Sequence, residues 1–116
     1  MLLAVLGNSP ADTEALCARI RRRADMEPRP FFSREAFFSS LRPGQFGGAV
    51  IALGDSAWFL AARRLRETDI RCRILVIDDT DRYALQCVRL HVTDFLVRPV
   101  TDERLERSLE LLMGRR

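Results

Sequence analysis

The chain has 116 residues, 47% hydrophobic and 30% charged, with a formal net charge of +3. Such a balance excludes a disordered or collagen-like chain and fits one globular domain over residues 1–116. No apolar run reaches the length needed to cross a bilayer, and the apolar start MLLAVLGNSP lacks a basic segment and cleavage motif, so neither a membrane span nor a signal peptide is expected.

Residues 2–6 (LLAVL) form a continuous apolar run, the pattern of a strand covered on both faces. Ser9-Pro10 then reads as a helix start, with Ser at the N-cap, Pro in the first turn and Asp12 three residues on. Leu16 and Ile20 carry that helix, which is expected to end near Asp25; the triplet Arg21-Arg22-Arg23 is expected to be its solvated end. The stretch MEPRPFF holds two prolines, which predicts a short edge strand. Ser33 caps a helix containing Ala36, Phe37 and Leu41, stopped by Pro43-Gly44. The four phenylalanines Phe31, Phe32, Phe37 and Phe38 are expected to serve mainly as core and edge cover.

AVIAL (49–53) is the next buried strand, and SAWFLAARRLRE the next helix, with Trp58, Leu60, Ala61 and Leu65 on or near its inner face. RILVI (73–77) follows, ending in Asp78-Asp79, then a helix from about Arg82 to Leu90. The strand DFLV runs into Arg98-Pro99, and Thr101 caps a last helix with Leu105, Leu109 and Leu112 at helical spacing. Five strand–helix units predict a flavodoxin-like (βα)5 three-layer α/β sandwich with a five-stranded parallel sheet. Ligands and chemistry in such sheets gather beyond the carboxyl ends of the strands, where strand order reverses.

Cys17, Cys72 and Cys87 are widely spaced and form no Cys-x-x-Cys pair, so they read as reduced, mostly core-facing thiols. His91 is the single histidine and has no cysteine beside it, which argues against a zinc site. All basic residues are arginine, and the modest positive charge does not argue for nucleic-acid binding.

The last third carries a more specific pattern: Tyr83-Ala84, Asp94-Phe95-Leu96, Arg98-Pro99 and Glu103-Arg104-Leu105. Together with the five-unit architecture, it resembles the receiver domains of bacterial response regulators, in particular those attached to LytTR-type DNA-binding domains. The resemblance implies a cytoplasmic signalling module with protein partners (a sensor kinase, an attached output domain outside this chain, or a second copy) and no direct nucleic-acid contact. It also implies a cis Arg98-Pro99 bond, and surface roles for Tyr83, Val88, Val92 and Arg104. A receiver phosphorylates one of its own aspartates with Mg²⁺ held by clustered carboxylates. By resemblance, the acidic pair falls here on Gly7 and Asn8, and the acceptor on Gly54, or on Leu53 if the register slips. The switch hydroxyl falls on Asp78, with Thr80 two residues on, and the lysine on Arg98.

Two readings follow. In the preferred one the domain is a pseudo-receiver, not an enzyme, with no cofactor or metal, and Arg98 turns its fork onto Asp78, Asp79 or Asp55 as a bidentate partner. In the alternative, Asp55 is the phospho-acceptor and Mg²⁺ the cofactor; the competing role for Asp55 is the N-cap of the helix starting near Ser56. A flavin- or nucleotide-binding protein on the same topology ranks lower, because only Gly7-Asn8-Ser9 follows the first strand where a phosphate-cradling loop would stand.

Overall fold

The structure, a computed structural model, describes residues 1–54 and 56–114. Strands and helices alternate: β1 (Leu2–Gly7), α1 (Pro10–Ile20), β2 (Glu27–Phe31), α2 (Arg34–Ser40), β3 (Gly48–Ala52), α3 (Trp58–Thr68), β4 (Arg73–Asp78), α4 (Leu85–Arg89), β5 (Asp94–Val97) and α5 (Asp102–Leu112). All neighbouring strands pair in parallel, in the order β2-β1-β3-β4-β5. This is the flavodoxin-like arrangement, and its strand order reverses between β1 and β3.

Each central strand buries both faces, which is why its sequence runs apolar without interruption. Leu3, Val5, Val50, Ala52, Leu75 and Ile77 face α1 and α5, meeting Leu16, Cys17, Ile20, Leu105, Leu109 and Leu112. Their neighbours Ala4, Leu6, Ala49, Ile51, Ile74 and Val76 face the other layer, meeting Phe37, Trp58, Ala61, Leu65 and Cys87. The period-2 alternation of the strands thus divides the core into two slabs. Phe31 and Phe37 are buried, with ring centroids 5.5 Å apart, whereas Phe32 is exposed. In β2 the Glu27 N–H bonds the Met1 carbonyl, which directs Pro28 and Pro30 toward the open edge.

Three helix starts follow from short polar caps. The hydroxyls of Ser9, Ser33 and Thr101 accept from the N–H groups of Asp12, Ala36 and Arg104. Four expectations need correction. Helix α1 stops at Ile20, short of Asp25. Arg23 is not solvated: its side chain is 10% exposed and ion-paired with Asp25, Glu106 and Glu110, so it fastens the end of α1 to α5. Helix α3 begins at Trp58, and Leu60 turns outward while Trp58, Ala61, Ala62 and Leu65 are buried. Helix α4 spans only Leu85–Arg89, because Asp81 to Ala84 form turns instead of helix. Among the described residues no helix is long and apolar enough to cross a membrane.

All three cysteines are free and buried. Burial pushes the thiols of Cys72 and Cys87 up to about 12, helped by the negative charge of Asp69 and Asp78 respectively. Burial raises Cys17 as well. The thiolate is the reactive form, so at pH 8 a disulfide-exchange reagent should leave the folded protein unlabelled and label all three thiols once guanidinium unfolds it. Rapid labelling of any cysteine before unfolding would contradict this packing.

Candidate functional site

The carboxyl ends of β1, β3, β4 and β5 converge on Gly7-Asn8, Leu53-Gly54, Asp78-Asp79 and Arg98-Pro99. Across the crevice where strand order reverses, the Asn8 Oδ1 accepts from the Gly54 N–H at 3.0 Å. That hydrogen bond joins the β1 and β3 tips without any charge.

Gly7 is a glycine for steric reasons, whereas Gly54 leaves space for a neighbouring side chain. A Cβ on Gly7 would lie 2.8 Å from the Thr13 hydroxyl, which accepts from the Gly7 N–H and donates to the Ser9 carbonyl. Thr13 is fully buried, so any side chain at residue 7 would have to displace it. A Cβ on Gly54 would collide with the Asp79 carboxylate. Leu53, the alternative acceptor position, is buried in the core slab under α3 and does not face the crevice.

The two consecutive aspartates after β4 have unlike fates. Asp78 is in phase with Ile74 and Val76 and so points toward α3. It is fully buried; its Oδ2 accepts from the Trp58 indole N–H at 2.7 Å and its Oδ1 from the Asp79 N–H at 2.6 Å. Asp79 leans over Gly54 and accepts from Arg98 Nη1 at 3.1 Å. Arg98 spends its other terminal nitrogen, Nη2, on the Ala52 carbonyl at 2.6 Å. The bidentate carboxylate pairing expected of Arg98 therefore does not occur, because the fork is divided between Asp79 and a strand carbonyl. The Arg98-Pro99 bond is cis, as the resemblance implied.

Asp55, the candidate acceptor, lies outside the described residues. The N-cap position of α3 is Ala57, with no side-chain cap bond. Ser56 adopts φ 63°, a left-handed turn leading into the helix. Of the surface residues, Val88 is 70% exposed and Arg104 is exposed, while Tyr83 and Val92 are half-buried against the core.

A divalent magnesium ion prefers six oxygen ligands in a tight shell, usually including one or two carboxylates. Among the described residues the crevice offers the Asn8 amide and the Asp79 carboxylate, and the latter is already ion-paired to Arg98. Asp78 is turned away onto Trp58. Among the described residues there is no group of three metal-ligating side chains. These residues do not fit a magnesium site.

Sequence reasoning missed Trp58 as the partner of Asp78 and Thr13 as the group beneath Gly7. The phase of Asp78 with Ile74 and Val76 was the available signal for the first. For Thr13 no comparable signal exists, since its position depends on how α1 docks.

No protein-family model matches the sequence, and a comparison with curated proteins finds no relative. Solved structures do match. A response regulator receiver protein from Pseudoalteromonas atlantica superposes with a TM-score of 0.82 at 13% identity, over 98% of both chains. The non-phosphorylated HemR receiver domain from Leptospira biflexa gives 0.83 at 15% identity, over 97% of this chain and 94% of that one. A putative CpaE2 pilus assembly protein from Sinorhizobium meliloti gives 0.73 at 16% identity, over 97% and 99%. The chain therefore has the fold of response regulator receiver domains, five parallel strands between two layers of helices.

Proposed function

We propose that this domain is a pseudo-receiver: a signalling module whose output is set by what binds it and not by phosphoryl transfer. The observation that carries the reading is the Asp79 carboxylate lying over Gly54 and paired with Arg98. In a working receiver that space would belong to the acceptor side chain and its phosphoryl group. Here it already holds a negative charge and its counter-ion, and neither Gly7 nor Asn8 supplies a carboxylate for a metal. A carboxylate and its counter-ion already in that space compete with an incoming phosphoryl group for it.

On this reading the domain has no enzymatic activity and no resident cofactor. It works in the cytoplasm through protein partners: an attached output domain, a sensor protein or a second copy. The pattern Tyr83-Ala84, Asp94-Phe95-Leu96, Arg98-Pro99, Glu103-Arg104-Leu105 favours an output domain of the LytTR type. The same fold in a pilus assembly protein is in keeping with service beyond a phosphorelay.

Incubation with Mg²⁺ and acetyl phosphate, followed by intact-protein mass, tests the reading. The mass should stay that of the unmodified chain. A phosphoryl adduct that disappears in Asp55→Asn would replace this reading with a working receiver that uses Asp55.

A further inference from the structure

A cleft of about 360 Å³ opens between the start of α3 and the approach to α4, lined by Arg34, Ser56, Phe59, Leu60, Tyr83 and Gln86 among others. It lies on the α3 side of the sheet, and neither Asp79 nor Arg98 lines it. Its volume falls at the small end of the range for small-molecule sites.

Its walls are apolar. Phe59 and the Tyr83 ring are half-buried against the core, and Leu60 presents its side chain outward at 46% exposure. Leu60 is anomalous in its own helix, where Trp58, Ala61 and Leu65 all turn inward. An apolar residue facing out of the helix, at the rim of a cleft, is surface that an occupant would cover.

The polar groups are uncommitted. Among the described residues, the side chains of Arg34, Ser56, Tyr83 and Gln86 make no hydrogen bond or ion pair. Two arginines near the strand tips are committed by contrast: Arg98 is paired with Asp79 and Arg19 with Asp102. Arg34 contributes the single formal charge among the described lining residues, and no carboxylate opposes it there. An apolar wall with a few convergent polar groups and one unpaired guanidinium selects a ligand of matching polarity.

We propose that this cleft binds a small amphipathic anion: an aromatic or branched apolar body carrying one carboxylate or sulfonate. The body lies against Phe59, Leu60 and the Tyr83 ring, and the anionic group faces Arg34. Such an occupant would bridge α3 to the five-residue α4. The proposal goes beyond the pseudo-receiver reading and does not depend on it, because the observation behind that reading, the Asp79–Arg98 pair over Gly54, lies outside the residues that line the cleft.

The test is a titration of the isotopically labelled full chain with 8-anilinonaphthalene-1-sulfonate, an aromatic sulfonate, followed by amide NMR shifts. The result expected is saturable binding of one probe per chain, with shifts concentrated at Phe59, Leu60, Tyr83 and Gln86. Arg34→Gln should weaken binding about fivefold, the size of a rim ion pair. Leu60→Glu should abolish it by setting a carboxylate in the apolar wall. The neutral analogue N-phenyl-1-naphthylamine should bind the wild type no better than the sulfonate binds Arg34→Gln. Non-saturable binding, shifts centred on another face, or an affinity indifferent to both substitutions would overturn the proposal. Should Leu60→Glu fail to fold, the exposed Arg34→Gln alone decides. The acetyl phosphate result has a separate readout, so either conclusion can fail without the other.

Discussion

Trp58→Ala is expected to destabilise the domain by about 4 kcal/mol, the upper range for truncating a buried aromatic residue. The indole is fully buried, sits edge-on to Phe95 at a centroid distance of 6.0 Å, and gives its N–H to the Asp78 carboxylate. Two effects combine: a cavity opens in the slab under α3, and a fully buried carboxylate loses a donor. Trp58→Phe separates them, since it keeps most of the apolar volume and removes only the N–H. It should cost about 2 kcal/mol, as for other hydrogen bonds to a charged group. Denaturant titration with an unchanged slope measures both. A Trp58→Phe cost below about 0.5 kcal/mol would mean that the indole bond contributes nothing net. Because domains of this size hold only about 5–15 kcal/mol in total, Trp58→Ala should also lower the yield of folded protein.

Arg66→Ala is expected to cost about 3 kcal/mol and to loosen α4 more than any other element. The Arg66 guanidinium donates to five carbonyls: Leu90 at 2.9 Å, Asp69 at 3.2 Å, Ile70 at 2.9 Å, Cys72 at 2.7 Å and His91 at 3.2 Å. It thereby joins the end of α3, the start of β4 and the turn after α4. Leu90 and His91 lie just past the five-residue α4, where helix carbonyls lack internal partners, and His91 has φ 52°. A lysine there provides three donors on a point charge and not a planar fork, so Arg66→Lys should recover less than half of the loss. Hydrogen exchange gives the specific readout. Amides of residues 85–92 should exchange faster in Arg66→Ala, while those of α5 keep wild-type rates. Uniform acceleration along the chain would show that Arg66 contributes only global stability.

Much of the fold was legible because its strongest signals are local. The apolar runs at 2–6, 49–53 and 73–77 are strands buried on both faces, and three of the five helices begin at hydroxyl caps readable from sequence. The elements that came out differently lack local signals. The N-cap residue of helix α3, Ala57, has no capping side chain, and the turn through Ser56 and the seating of Trp58 on Asp78 lie at its start. Helix α4 is trimmed by the turns at Asp81 to Ala84, and Arg66 reaches it from another helix. Arg23 belonged to a run of three arginines that looked uniform; Arg22 also reaches α5, at Asp102, but stays exposed, and only Arg23 is buried among its carboxylate partners.

At the site, the sequence offered Arg98 three acids, and of the two described Asp79 is its partner. The reason is again positional. Asp78 completes the inward phase of β4 and is drawn under α3, which leaves the next residue free to cross over Gly54. A glycine at that position leaves room for the Asp79 carboxylate.

The prolines of β2 have a consequence for how these molecules meet one another. With Pro28 and Pro30 at the outward positions, that margin of the sheet offers carbonyl oxygens but no amide hydrogens opposite them. An incoming strand would bring its own oxygens against oxygens, so ribbon-like growth is blocked on this flank. Any strand-to-strand joining of two copies is left to the four-residue margin of β5 at the far end.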